Sequence, residues 1–173
     1  MARRLAAALA ALLLLAACGF QPLYGERTGG VQTQAHLAAV SLAPVETVDP
    51  LDARLGQIIR NDLTIRLDPH NAGAASLYRL DVLLARRESP LAITSTDTIT
   101  RYNLTLAARI VLTDLSTGQP IYRADTRATG SYDVQRSEYG TVVAEQATAE
   151  DAAHAMSDRI ATLLAVFFAN RGG

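Results

Sequence analysis

The chain has 173 residues with 16 basic and 17 acidic side chains, a formal net charge of −1, and so lacks the cationic excess of a nucleic-acid-binding protein. All sixteen cations are arginine, so every positive group is a planar fork able to grip carboxylate or phosphate with two hydrogen bonds. A single cysteine excludes an intramolecular disulfide and a multi-thiolate metal site.

The N-terminus reads as a secretory signal. Arg3 and Arg4 form a charged start, Leu5 to Leu15 is all alanine and leucine, and Leu15-Ala16-Ala17 leads into Cys18. The apolar run, residues 5 to 17, falls short of the roughly 20 residues that a helix needs to cross a hydrocarbon core. The expectation is that residues 1–17 are removed and Cys18 is lipidated at the new N-terminus, where two or three acyl chains give a stable anchor. Gly19, rather than an aspartate, follows the cysteine, which points to the periplasmic side of the outer membrane. The mature chain would carry 14 basic and 17 acidic residues, a net charge of −3.

Residues 18–34, rich in Gly, Gln and Thr, read as a lipidated tether, leaving residues 35–173 as a single α+β domain. Leu37 to Val45 is apolar with Pro44 near its end, the pattern of a short or edge strand. Asp49-Pro50-Leu51-Asp52 is a helix start: Asp49 caps free amides, Pro50 takes the first helical position and Asp52 adds negative charge at the dipole's positive end. Leu51, Leu55, Ile58, Ile59 and Leu63 then follow at helical spacing until Pro69.

Asn71 to Ala75 reads as a turn, after which the period changes to two. Tyr78, Leu80, Val82 and Leu84 alternate with more polar positions, and Tyr102, Leu104, Leu106, Ala108, Ile110 and Leu112 do so over a longer run. Ser89 to Thr100, rich in Ser and Thr, reads as a loop or a frayed strand extension. Asp114 to Gln119 is a hairpin turn into a third alternating stretch, Pro120 to Asp133. After Gly140 helical periodicity returns, with Val142, Ala149, Ala152, Ala153, Met156, Ile160, Leu163, Leu164, Phe167 and Phe168 on one face. The order β-α-β-β-β-α predicts a four-stranded, mostly antiparallel sheet with both helices packed on its apolar face.

Chemistry is sparse. His36, His70 and His154 have no metal-ligand spacing, and neither a nucleophile elbow nor a phosphate loop is present. No catalytic residue, metal or cofactor is therefore expected. Asp68-Pro69-His70-Asn71 reads as a helix stop, and Asp62 with Arg66 as a local i,i+4 bridge. Arg79, Arg101, Arg109, Arg123 and Arg127, by contrast, all fall in the polar phase of their strands. They would share one outer face, either as a solvated surface with cross-strand charge pairs or as a docking surface for an anionic or hydrogen-bonding partner.

Cys18-Gly19-Phe20-Gln21-Pro22-Leu23-Tyr24-Gly25 resembles the lipidated start of the lipopolysaccharide-assembly lipoprotein family, LptE, in its alphaproteobacterial form. The element order, Ser131-Tyr132-Asp133-Val134 with Ser137-Glu138-Tyr139, and the alanine-rich last helix ending in Phe167-Phe168 look like that family too. The resemblance implies a non-enzymatic outer-membrane lipoprotein that sits in the lumen of the LptD β-barrel, helps that barrel assemble and assists delivery of lipopolysaccharide to the outer leaflet. Its partners would be the barrel, lipopolysaccharide and, through Cys18, the membrane, with no nucleic acid. The rival reading is an accessory lipoprotein of another cell-envelope complex.

Overall fold

The computed structural model describes residues 28–68, 75–93 and 99–171. In chain order the elements are α1 (Thr28–Ala38), β1 (Val40–Leu42), β2 (Glu46–Thr47), a 3-10 turn (Pro50–Asp52), α2 (Ala53–Leu67), β3 (Tyr78–Ile93), β4 (Ile99–Asp114), β5 (Pro120–Asp133) and α3 (Glu138–Arg171). The expected α+β architecture is present, with a mixed, largely antiparallel sheet. Strands β3, β4 and β5 form an antiparallel meander, while β1 and β2 lie one after the other along the far edge of β3, both parallel to it.

Alternation decides which face is buried. Leu80, Val82 and Leu84 of β3, Leu104, Leu106, Ile110 and Leu112 of β4, and Ala128 and Tyr132 of β5 all turn inward. Against them lie Leu55, Ile59, Leu63 and Leu67 of α2 and Ala153, Met156, Ile160, Leu164 and Phe168 of α3. Each fully buried Leu or Ile contributes roughly 2 kcal/mol. The other face of the sheet is covered by no described element.

The small residues of α3 let it ride close to the strands. A Cβ on Gly130 of β5 would lie 2.6 Å from Thr148 Cγ2, and that threonine is held in place by its own bond to the Ala144 carbonyl, 2.8 Å. By length and composition α3 passes for a membrane span, but half of its most apolar window is buried within the fold, as befits a core helix. Helices α2 and α3 are stitched by Arg54–Glu150 (2.8 Å), Asp62–His154 (2.6 Å) and Arg66–Asp158 (2.6 Å). Asp62 and Arg66 do form the expected i,i+4 bridge, at 3.3 Å.

Four local expectations are corrected. Leu37 is helical, not extended: α1 runs through the segment read as the end of the tether and buries Thr33 and Leu37. The strand that follows is broken into β1 and β2 by Ala43–Val45. Asp49 caps as expected, its Oδ1 accepting from the Leu51 amide at 2.9 Å. The turn it caps is 3-10, however, and the tighter three-residue repeat leaves Leu51 89% exposed and turns Asp52 inward to 6%. Val142 is likewise exposed, because the first turns of α3 extend past the core. Of the segment 89–100, residues 89–93 and 99–100 extend β3 and β4. Residues 1–27, with Cys18, the signal and most of the tether, and residues 69–74, with His70 and the turn at Asn71, lie outside the described residues.

The hairpin turn matches its sequence. Asp114 Oδ1 accepts from the Ser116 amide and hydroxyl (2.9 and 2.6 Å), and Gly118, at φ 67°, supplies the left-handed residue. Those Ser116 bonds hold the Asp114 carboxyl below the usual range.

Candidate functional site

All five arginines singled out from the alternation lie on the uncovered outer face, and the register sorts them into two groups. Arg101 stands opposite Asp133 and grips it with Nε at 2.7 Å and Nη2 at 3.1 Å. Arg109 stands opposite Asp125 at 3.0 Å, and Arg79 reaches Asp81 two residues along its own strand at 3.2 Å. The hydrogen bonds from Arg101 hold Asp133 below the ordinary carboxylate range. These three are the charge pairs of a solvated sheet face.

Arg123 and Arg127 are different. Arg123 stands opposite Val111 and Arg127 opposite Ala107. Among the described residues neither has a carboxylate partner, because the strand across from each supplies an apolar side chain. Arg87, opposite Thr105 on the same face, is also without one.

Arg87 and Arg127, but not Arg123, line an open concavity of about 790 Å³ on this face. Leu83, Ala85 and Ala107 line it from the strands and Val48 from beyond β2, while Arg87, Arg109 and Arg127 bring guanidinium groups to it. Leu83 and Val48 are 39% and 66% exposed. Asp125 lines it too, paired with Arg109, so a shallow apolar floor with two unpaired guanidinium groups, Arg87 and Arg127, suits an amphiphile with anionic groups near its apolar part. Val111 is half-buried on this face, whereas Ile121 packs against the core edge. The reason is a register shift between Leu112 and Thr113 that changes the phase of β5 at its start.

The inner face carries a second polar cluster that the sequence reading missed. Beyond Leu84 the inward phase continues through Arg86 and Glu88. Arg86 lies 2.8 Å from Glu145 of α3, 3.3 Å from Glu88 and 3.5 Å from Asp52. Tyr132 donates its hydroxyl to Glu88 Oε2 at 2.9 Å, and its ring stacks on Tyr102 at 5.6 Å between centroids. Glu88 Oε1 is buried and accepts no hydrogen bond; the ion pair with Arg86 is its compensation. One guanidinium thus serves three carboxylates. Burial pushes Asp52 above its ordinary value against the pull of Arg86, and burial with the Glu88 bond pushes the Tyr132 phenol up. The signal was present in the sequence as opposite charges two apart, Arg86 and Glu88, in the phase that carries Leu80, Val82 and Leu84.

The cluster consists of one guanidinium, three carboxylates and a phenol, and the described residues contain no group of His, Cys, Asp and Glu placed to hold a metal. Its geometry ties the end of the sheet to the 3-10 turn and to the overhanging start of α3.

A three-strand meander with two parallel edge segments and one helical layer defines a class of small α+β domains. Rare lipoprotein B from Shewanella oneidensis has this fold at TM-score 0.59 and 16% identity, over 78% of this chain and 98% of its own. A Caulobacter crescentus CB15 protein described as a lipoprotein gives TM-score 0.60 and 20% identity over 80% and 97%. A minor lipoprotein from Acinetobacter baumannii gives 0.53 and 20% over 73% and 90%. Comparison with curated proteins gives no sequence match. The family is nevertheless definite: residues 37–165 match the lipopolysaccharide-assembly family LptE, and the chain belongs to it. It is by family an envelope lipoprotein of lipopolysaccharide assembly.

Proposed function

We propose that the protein is a non-enzymatic outer-membrane lipoprotein, anchored through lipidated Cys18, that docks with an LptD-type β-barrel and assists the barrel's assembly and the insertion of lipopolysaccharide into the outer leaflet. Family membership supports the process. The observation that carries the mechanism is the outer face, where Arg127 and Arg87 line an apolar-floored concavity with no carboxylate partner among the described residues, and Arg123 lies two residues along β5 from Asp125, which also lines it.

The division of labour follows from electrostatics. A guanidinium already paired with Asp133 or Asp125 has part of its field cancelled and its donors used, so Arg101 and Arg109 position the face. Arg123, Arg127 and Arg87 keep their forks for an incoming phosphate or sugar hydroxyl, while Leu83, Ala85 and Ala107 meet its apolar part. The helical layer supplies rigidity.

The test is to tag the chain after Gly173, express it in its own host, solubilise the outer membrane gently and identify what copurifies. A stoichiometric lipopolysaccharide-export barrel supports the docking reading. A different envelope complex, with no such barrel, overturns it and favours the accessory-lipoprotein alternative. Lipopolysaccharide retained by the wild type and lost from Arg123→Glu/Arg127→Glu supports the role of the face.

A further inference from the structure

The last turns of α3 and the start of β5 leave between them an apolar groove of about 350 Å³ that no described residue fills. Its floor is aromatic: the Tyr122 and Phe167 rings stack at 4.7 Å between centroids, and both residues are half-buried. Leu163 and Val166 form one wall, with Val166 exposed. Asn170 and Arg171 stand exposed at the rim, the Arg171 guanidinium 5.9 Å from the centre of the Phe167 ring. The groove is separate from the concavity on the outer face, with which it shares no lining residue.

The chain itself supplies an occupant of matching chemistry. Phe20-Gln21-Pro22-Leu23-Tyr24 holds two aromatic side chains, a leucine and a proline and carries no charge, whereas a purely solvated tether needs only small polar residues. Proline fixes its own φ near the polyproline value and biases the residue before it to extended backbone. Segments of that kind dock in aromatic-lined grooves, because their order is preformed and their carbonyls stay free. Asn170 and Arg171 offer side-chain N–H donors to such carbonyls at the rim. The connection also has the right length. Helix α1 begins at Thr28, packs against α3 and buries Thr33 and Leu37. Near its end the His36 ring stacks on Phe168 at 5.3 Å, and Phe168 meets Phe167 at 5.2 Å. Thr28 precedes His36 by eight helical residues, about 12 Å along the axis. At about 3.3 Å per extended residue, the steps from Thr28 back to Tyr24 and back to Phe20 span about 13 to 26 Å, a range that includes the groove.

We propose that Phe20–Tyr24 docks in this groove as an intramolecular strap between the anchor and the domain. The groove lies at the end of the sheet where Leu80, Leu112 and Tyr122 stand side by side. The paired residues Ile93 and Ile99 are at the opposite end, about 40 Å along β3. The strap therefore sets a direction. With Cys18 two residues ahead of Phe20, it holds the anchored end beside the C-terminus of α3 and points the β3–β4 arm away from the membrane. That consequence rests on lipidation of Cys18; the docking itself does not, and neither requires the lipopolysaccharide reading.

The chain has no tryptophan, so Tyr24→Trp gives a single reporter in the full chain, expressed in its own host and held in detergent. Its emission should be blue-shifted and protected from acrylamide. Val166→Glu, which puts a charge on the exposed wall without entering the core, should red-shift that emission and raise the quenching constant severalfold. Emission that ignores Val166→Glu would overturn the proposal and place the segment in detergent or solvent. Disulfide formation is the second readout, because a docked segment brings Cα atoms within the roughly 7 Å limit for a bridge. On mild oxidation Leu23→Cys/Val166→Cys should close a disulfide within one chain, read by mass as the loss of two hydrogens without dimer. Leu23→Cys/Ile65→Cys, with its second thiol on the exposed surface of α2, should not. Equal closure in the two variants would overturn the docking, and a disulfide formed between chains in place of one within a chain would assign the groove to a second copy and overturn it too.

Discussion

Arg86 and Arg127 are the same residue type in the same sheet, on opposite faces, and their surroundings separate what holds the fold from what is free to meet a partner. Arg86 lies in the inner phase, its side chain 30% exposed, against Asp52, Glu88 and Glu145. Arg127 lies in the outer phase opposite Ala107, which is itself opposite Ala85, and forms no ion pair among the described residues. A cation with three carboxylates is structural, because removing it leaves buried negative charge uncompensated. A cation with none stabilises nothing in the isolated domain, so its removal is silent until a partner is present.

The largest expected effect breaks the inner side of this comparison. Arg86→Ala should destabilise the domain by about 3 kcal/mol, the cost of stranding a partly buried ion cluster, read as a lower urea midpoint. Leu106→Ala, which empties a fully buried site under α3, should cost a similar amount, about 3 kcal/mol, and serves as the packing reference. Should Arg86→Ala unfold no more easily than an exposed arginine variant, the inner cluster is not a structural tie.

Next in size is the difference in pH response. Asp52 is raised by burial, so its contribution to stability is fully present below the unfolded value of 3.8 and is lost as pH rises through the higher folded value. Asp133 is lowered by Arg101, so its contribution is present above 3.8 and lost as pH falls through the lower folded value. Asp52→Asn should therefore make the melting temperature fall more steeply on acidification than in the wild type, and Asp133→Asn should make it fall less steeply. Identical pH profiles for the two variants would refute the assignment of opposite environments.

The smallest effects belong to the outer pairs. Arg109→Gln removes an exposed bridge and should change stability by about 0.5 kcal/mol or less, and Arg123→Gln should change it less still. Urea titration of both orders them, and a loss above that of Leu106→Ala for either would contradict the solvated character of the outer face.

The sheet was legible because its residues obey one dominant rule. Inward Leu80, Val82, Leu84, Leu104, Leu106, Ile110 and Leu112 alternate with polar neighbours, and period two is unambiguous over such lengths. It also put five arginines on one face correctly. What it could not show was which of them were paired, since that depends on the cross-strand register: Arg109 meets Asp125, whereas Arg127 meets Ala107. Arg86 and Glu88 were missed for a related reason. An inward charge is paired by residues distant in sequence, here Asp52 and Glu145, and no local pattern announces them.

The first helices show the other limit. Leu51 has the spacing of a core position but sits on a 3-10 turn, whose tighter repeat points it to solvent. Thr28 to Ala38 lacks a strong apolar period, and its helix is fixed by Leu37 and Thr33 against the rest of the fold and by His36, whose ring stacks on Phe168 at 5.3 Å. Tertiary contacts decided both segments.

The central claim is that the partner-free outer arginines carry binding and the paired ones do not. Its most direct test is the amount of lipopolysaccharide retained per tagged chain from the native host, compared between wild type, Arg123→Glu/Arg127→Glu and Arg101→Gln/Asp133→Asn, with melting temperatures measured alongside. The account predicts loss of lipopolysaccharide in the first variant at unchanged melting temperature, and retention in the second. Equal retention in all three would contradict it.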